Sequence, residues 1–241
     1  MKRRFKGLTD TGILRSVNQD DFYVDPEGRF FIVADGMGGH AGGQEASRIA
    51  TQTIQSYLNE YWEDRGISSS DLLKKAIAEA NQDILVDQEN HPERADMGTT
   101  VVMVVFRDKQ PLCGHIGDSR FYRLRNHSLE QMTDDQTWVA RAMKMGDLSP
   151  EEARIHPWRH VLSQCLGRRD LNYIEVQPVE VQTGDRLLLC SDGLTEEVTD
   201  EDIQDCLATS QTCEEAATTL IEEAKNNGGS DNITVVVVEQ G

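Results

Sequence analysis

Four groups of acidic turns carry side chains able to do metal chemistry: Asn18-Gln19-Asp20; Asp35-Gly36-Met37-Gly38-Gly39; Gly117-Asp118-Ser119; and Ser191-Asp192-Gly193 with Gly229-Ser230-Asp231-Asn232. Any one of them alone reads as turn punctuation, because Asp-Gly and Ser-Asp pairs suit tight backbone geometry. Their shared placement beside strand-like runs says more. Carboxylates brought from several strand ends to one edge would repel one another unless cations joined them. Oxygen donors with no nearby pair of Cys or His select Mg²⁺ or Mn²⁺ over Zn²⁺. Two such ions bridged by one water generate hydroxide near neutral pH and stabilise an in-line displacement at phosphorus, which is phosphoester hydrolysis without a protein nucleophile.

The elements that must position these turns are visible in the periodicity. Residues 29–34 read as a buried strand delivering Asp35-Gly36 at its end. Ala46, Ile49, Ala50, Ile54 and Leu58 recur at helical spacing within 44–61, and Leu72, Ala76, Ala80 and Ile84 do so within 71–88, predicting two amphipathic helices. Runs at 99–106, 112–116 and 121–124 predict an antiparallel meander whose last turn is Gly117-Asp118-Ser119. Residues 133–170 differ. They carry Trp138, Trp158, His156, His160 and several arginines on short helical pieces broken by Pro150 and Pro157, the pattern of an inserted flap. Strands at 174–181, 186–190 and 233–238 and helices at 200–207 and 213–225 complete the chain. Meanders beside consecutive helix pairs predict an α+β fold, with antiparallel sheets face to face and helices outside.

A length of 241 residues with 38% hydrophobic and 27% charged side chains suits one folded domain spanning 1–241. Forty-two acidic residues against 24 basic ones give a net charge of -18, which disfavours nucleic acid and anionic membranes as partners. The longest apolar runs, 101–106 and 235–238, have strand length, so no membrane span is expected. Lys6, Gly7 and Asp10 interrupt any apolar stretch after Met1-Lys2-Arg3-Arg4, and a cytoplasmic location is the expectation. The cysteines, five in number and without paired close spacing, are expected to be reduced and buried.

Taken in order, Arg15, Asn18-Gln19-Asp20, Asp35-Gly36-Met37-Gly38-Gly39, Gly98-Thr99-Thr100, Gly117-Asp118-Ser119-Arg120, Ser191-Asp192-Gly193 and Asp231-Asn232 form a highly specific motif set. On these residues the chain resembles the metal-dependent PP2C-type (PPM) protein serine/threonine phosphatases, in their compact bacterial stand-alone form, over essentially its whole length. The resemblance implies a four-layer αββα sandwich and hydrolysis of phosphoserine and phosphothreonine esters. It further implies that Asp35 bridges two metal ions, that the Gly36 carbonyl helps hold one, and that Asp192 and Asp231 hold the other. A third, weaker ion would bind at Asp118 beside Asp192. Arg15 would grip the substrate phosphate through a bidentate fork, and Asp20 would orient metal-bound water. The implied partners are phosphorylated proteins, with the phosphoserine form of the PII nitrogen-signalling protein as a candidate, met by a monomeric enzyme.

Two departures bear on the chemistry: Gln19 replaces a commoner glutamate, and Met37 stands where many members of that family place a histidine proposed as general acid. His40 is a conceivable substitute, with helix entry or packing as its alternative role. In the flap, Arg159, His160 and Arg168 are candidate contacts to a phosphoprotein, while Trp138 and Trp158 either anchor the segment to the core or join that surface.

Competing chemistries fail on particular residues. Gly36-x-Gly38-x-x-Ala41 imitates a dinucleotide fingerprint and Gly38-x-x-x-x-Gly43 a phosphate loop, but Gln44-Glu45 replace the required Lys and Ser/Thr, and Asp35 puts an anion beside the phosphate. No cysteine has the arginine six positions later that a thiolate phosphatase needs. His156 and His160 are separated by Pro157 and lack a third zinc ligand. A two-metal nuclease would need a basic groove, which the net charge opposes. The rival from another class is an inactive phosphatase-like module that binds phosphoproteins, expected to have lost one of Asp35, Asp192 or Asp231.

Overall fold

A computed structural model describes residues 2–39, 42–171 and 173–241, apart from the Arg154 side chain. Its strands are β1 (Arg3–Asp10), β2 (Asp20–Val24), β3 (Phe30–Met37), β4 (Gly98–Thr99), β5 (Val101–Val105), β6 (Leu112–Ile116), β7 (Arg120–Arg125), β8 (Ser128–Gln131), β9 (Glu175–Pro178), β10 (Arg186–Cys190) and β11 (Ile233–Gln240). The helices are α1 (Gly42–Tyr61), α2 (Ser69–Asn90), α3 (Trp138–Met145), α4 (Pro150–Ile155), α5 (Asp192–Thr195), α6 (Asp200–Thr209) and α7 (Cys213–Asn227). One sheet runs β1-β11-β10-β7-β8, the other β2-β3-β5-β6-β9 with β4 paired to β3, and every recorded pairing is antiparallel.

The central strands are apolar on both faces because each face meets a different layer. Phe31, Val33, Val102 and Val104 point inward to meet Leu187, Leu189, Val236 and Val238 of the opposite sheet. Their neighbours Phe30, Ile32, Val101 and Met103 point outward under the apolar stripes of α1 and α2, from Ala50 and Ile54 to Ile77 and Ile84. On the other side Leu188, Cys190, Val235 and Val237 pack beneath α6 and α7 through Ile203, Leu207, Leu220 and Ile221. The order α1/α2, sheet, sheet, α6/α7 is the α+β sandwich expected.

One expectation is corrected. Strands β6 and β7 do not form a hairpin: β6 pairs with β5 and β9, whereas β7 pairs with β10 and β8 in the other sheet. The Gly117-Asp118-Ser119 turn therefore carries the chain across the sandwich. Gly117 adopts φ +102°, and a Cβ there would come within 2.6 Å of the Thr100 side chain, so only glycine makes this crossing without strain. The run at 99–106 is also divided, because β4 pairs with the end of β3 before β5 enters the sheet. All five cysteines are free and buried. Among the described residues no helix is long and apolar enough to cross a membrane.

Candidate metal centre

The acidic turns meet at one end of the sandwich, where a cleft of about 540 Å³ is lined by Arg15, Asp35, Gly36, Asp118, Asp192 and Asp231, among others. Asp35 lies near the end of β3, and its backbone is clamped by the Gly98-Thr99-Thr100 segment. Its N–H donates to Thr100 Oγ1 (3.0 Å), while its carbonyl accepts from Thr99 Oγ1 (2.8 Å) and Thr100 N (2.9 Å). Thr100 Oγ1 in turn lies 2.6 Å from Ser119 Oγ, which ties the Asp118 turn to the same clamp. Gly36 has no room for a side chain: a Cβ would stand 2.0 Å from the Gly43 carbonyl oxygen.

Asp20 opens β2 directly opposite Asp35 in the β2–β3 register. Ser191 Oγ donates to Asp20 Oδ2 at 2.7 Å and accepts from Thr234 N at 3.0 Å, so the residue before Asp192 fixes Asp20. Asn232 does the same for the loop bearing Arg15: its Oδ1 accepts from Gln19 N (2.7 Å), and its Nδ2 donates to the carbonyls of Thr11 (2.9 Å) and Val17 (3.0 Å). Arg15 Nη2 reaches Asp231 Oδ2 at 2.6 Å.

The electrostatics are those of an anion cluster in want of cations. Burial, reinforced by neighbouring carboxylates, pushes Asp35 and Asp118 well above the ordinary carboxylate range, raises Asp192, and pushes Asp20 up to about 7. The buried oxygens Asp20 Oδ1 and Asp192 Oδ1 have no hydrogen-bond partner. Orphaned buried carboxylate oxygens are costly, and a divalent cation nearby relieves that cost. An all-oxygen set of this kind fits Mg²⁺ or Mn²⁺.

The model of the family described as protein phosphatase 2C matches residues 15–228, which include every one of these turns except the last, Gly229 to Asn232. The chain belongs to that family. It is 36% identical over 240 residues to the serine/threonine phosphatase Stp of Listeria monocytogenes, covering 96% of this chain and 94% of the relative. The crystal structure of the Mycobacterium tuberculosis serine/threonine phosphatase PstP aligns with a TM-score of 0.90 at 36% identity, covering 100% of this chain and 99% of that one. The catalytic domain of PstP in complex with two manganese ions aligns with a TM-score of 0.86 at 34% identity, covering 98% and 97%.

Within this protein phosphatase 2C frame the flap residues divide. Arg159 and His160 line the cleft, and His160 Nδ1 lies 2.6 Å from Glu196 Oε1. Arg168 is not brought there: Asp170 holds its guanidinium through two 2.8 Å bonds. Trp138 and Trp158 are 38% and 54% exposed, so neither anchors the segment to the core. His156 stacks on Trp138 at 5.0 Å, a packing role. Met37 lines the cleft as an apolar side chain, while His40 lies outside the described residues.

Sequence reasoning missed Glu196, which lines the cleft and is pushed up to about 7 by burial and then by Asp192 and Asp231. The signal was available: Glu196 follows Asp192 by one helical turn, with its N–H on the Asp192 carbonyl at 2.8 Å. It also missed the base of the flap, where Gln136 exchanges two 2.9 Å hydrogen bonds with the Gly117 backbone and Arg120 grips Asp135 bidentately.

Proposed function

We infer that this chain is a metal-dependent protein serine/threonine phosphatase that hydrolyses phosphoserine and phosphothreonine esters. The observation that carries this reading is the convergence of Asp35, Asp118, Asp192 and Asp231 on one cleft that also holds Arg15. The full acidic set also speaks against a module that binds without turnover, since an anionic cluster with no cation is costly to keep. The family is metal-dependent, and one relative has been solved with two manganese ions.

In our reading Asp35, the Gly36 carbonyl, Asp192 and Asp231 would hold a pair of ions, and Asp118 beside Asp192 would hold a third, weaker one. When bound, the ions supply an activated water as nucleophile and offset the charge of the phosphoryl group. Arg15 presents a planar fork of N–H donors that takes two phosphate oxygens at once. Asp20, held by Ser191, would orient metal-bound water. Arg159 and His160 meet the protein that carries the phosphate; Arg168, paired with Asp170, would act only from outside the cleft.

The substrates in this reading are phosphorylated proteins, and the phosphoserine form of the PII nitrogen-signalling protein is one candidate on the strength of the resemblance alone. The reading further takes the enzyme as a monomer acting in the cytoplasm. Residues 1–241 act as one catalytic domain with 133–170 as its flap. The test is hydrolysis of a small aryl phosphate and a phosphoserine peptide with Mn²⁺, Mg²⁺ or chelator. Turnover is expected only with an added ion, and undiminished turnover in chelator overturns the reading.

A further inference from the structure

The large apolar side chains left in solvent are not scattered. Of eleven among the described residues, nine lie at 13–17 or 138–161. The same two segments supply Arg15, Arg159 and His160 to the cleft. Ile13 and Leu14, 58% and 72% exposed, adjoin Arg15 in the chain, and Trp158 and Val161, 54% and 48% exposed, adjoin Arg159 and His160, so each segment forms one bank beside the cleft residues it supplies. Single exposed apolar residues are ordinary, but their concentration about one opening marks a contact surface.

Both banks are held in place. Ile13 N and Leu14 N donate to the Gly229 carbonyl at 2.7 and 3.3 Å, and the Ile13 side chain occupies the space a Cβ on Gly229 would need. On the flap Trp158 meets Trp138 edge-on at 5.1 Å, Trp138 N donates to the Val161 carbonyl at 2.8 Å, and Val161 N donates to the Trp158 carbonyl at 3.0 Å. Aromatic rings already packed on one another lose little side-chain entropy when a ligand covers them.

We propose that the two banks receive apolar side chains on either side of the phosphorylated residue, so that the preferred substrate is an extended polypeptide segment with hydrophobic residues flanking its phosphoserine or phosphothreonine. This rests on the phosphatase reading above. Continuity with the cleft identifies the occupant: a chain that lays its phosphate between Arg15 and Arg159 crosses Ile13 and Leu14 on one side and Trp158 and Val161 on the other. Charge rules out one alternative, because a protein of net charge -18 repels acidic flanks.

The experiment compares two phosphoserine peptides of equal length and charge, one with Leu and Phe on both sides of the phosphoserine and one with Ser and Gly there, beside a small aryl phosphate, all in Mn²⁺. Wild type is expected to show kcat/KM about tenfold higher for the apolar-flanked peptide. Leu14→Ser and Trp158→Ser should each remove most of that preference while holding the aryl phosphate rate within about twofold, since remote contacts help only the larger substrate. Leu14→Ile should restore it, which separates lost contact from misfolding. Equal rates on the two peptides, or equal losses on both in the variants, overturn the proposal. So does a wild-type dimer in sedimentation that Leu14→Ser dissociates without any peptide preference, because the surface would then belong to a second copy. Failure of the phosphatase reading looks different: no aryl phosphate turnover at all in Mn²⁺, which overturns both.

Discussion

Asp20 and Asp35 face each other across the β2–β3 ladder, a like-charge cross-strand pair that an ordinary sheet avoids. Such a pair persists only where something positive is meant to lie between its members and their neighbours, and that gives the individual carboxylates distinct predicted roles. Asp35→Ala, which removes the proposed bridging ligand, is expected to abolish turnover and both tight Mn²⁺ sites. Asp118→Ala is expected to lower kcat by about 10- to 100-fold while the tight pair still assembles. Titration calorimetry with Mn²⁺ checks both, and loss of the tight sites in Asp118→Ala would contradict the division. Arg15 offers a further separation, because it is assigned to phosphate although it pairs with Asp231 at 2.6 Å. Arg15→Ala should raise KM for aryl phosphate about tenfold or more with Mn²⁺ affinity close to wild type. Equal damage to KM and to metal binding would move Arg15 to a structural role.

Among the elements, the flap is where position decides function. Arg159 lines the cleft whereas Arg168 is occupied by Asp170, so the two arginines should behave differently. Arg159→Ala, and likewise His160→Ala, is expected to reduce kcat/KM for a phosphoprotein much more than for an aryl phosphate, and Arg168→Ala to change either by less than about twofold. Parallel kinetics on the two substrates decide it. The same contrast shows what the sequence could convey. Apolar periodicity located β3, α1, α2, β10 and β11 because each buries a continuous face, and the motif order named Asp35, Gly36, Asp118, Asp192 and Asp231, which the fold brings to one cleft. The strands at Arg3–Asp10 and Ser128–Gln131 are short of apolar residues because they close the edges of one sheet, so their pairing rests on backbone hydrogen bonds that leave no pattern in side-chain type. The crossing at Gly117-Asp118-Ser119 was misread as a hairpin for a related reason: a turn between sheets and a turn within one use the same residues, and only the partners of β6 and β7 distinguish them.

For the molecule as a whole, the carboxylates at the cleft set how stability depends on pH. In chelator Asp20 has a folded pKa pushed from 3.8 to about 7, and Asp35, Asp118 and Asp192 are raised as well. The folded state then binds more protons than the unfolded chain between about pH 4 and pH 7, so stability falls as pH rises through that window. Deeper acidification has the opposite effect, because hydrogen bonds from Arg29 and Arg125 hold Asp25 and Asp185 below the ordinary range in spite of their burial, and protonating them removes that stabilisation. Bound Mn²⁺ reverses the sign at the cleft. A cation holds those carboxylates ionised in the folded state, so their contribution is present at neutral pH and is lost as pH falls. The melting temperature is therefore expected to rise from pH 7.5 to pH 5 in chelator and to fall over the same interval in saturating Mn²⁺. Calorimetric scans at the two pH values, with and without the ion, check the crossing. Parallel slopes in the two conditions would mean that the pH-sensitive carboxylates are not those that receive the metal.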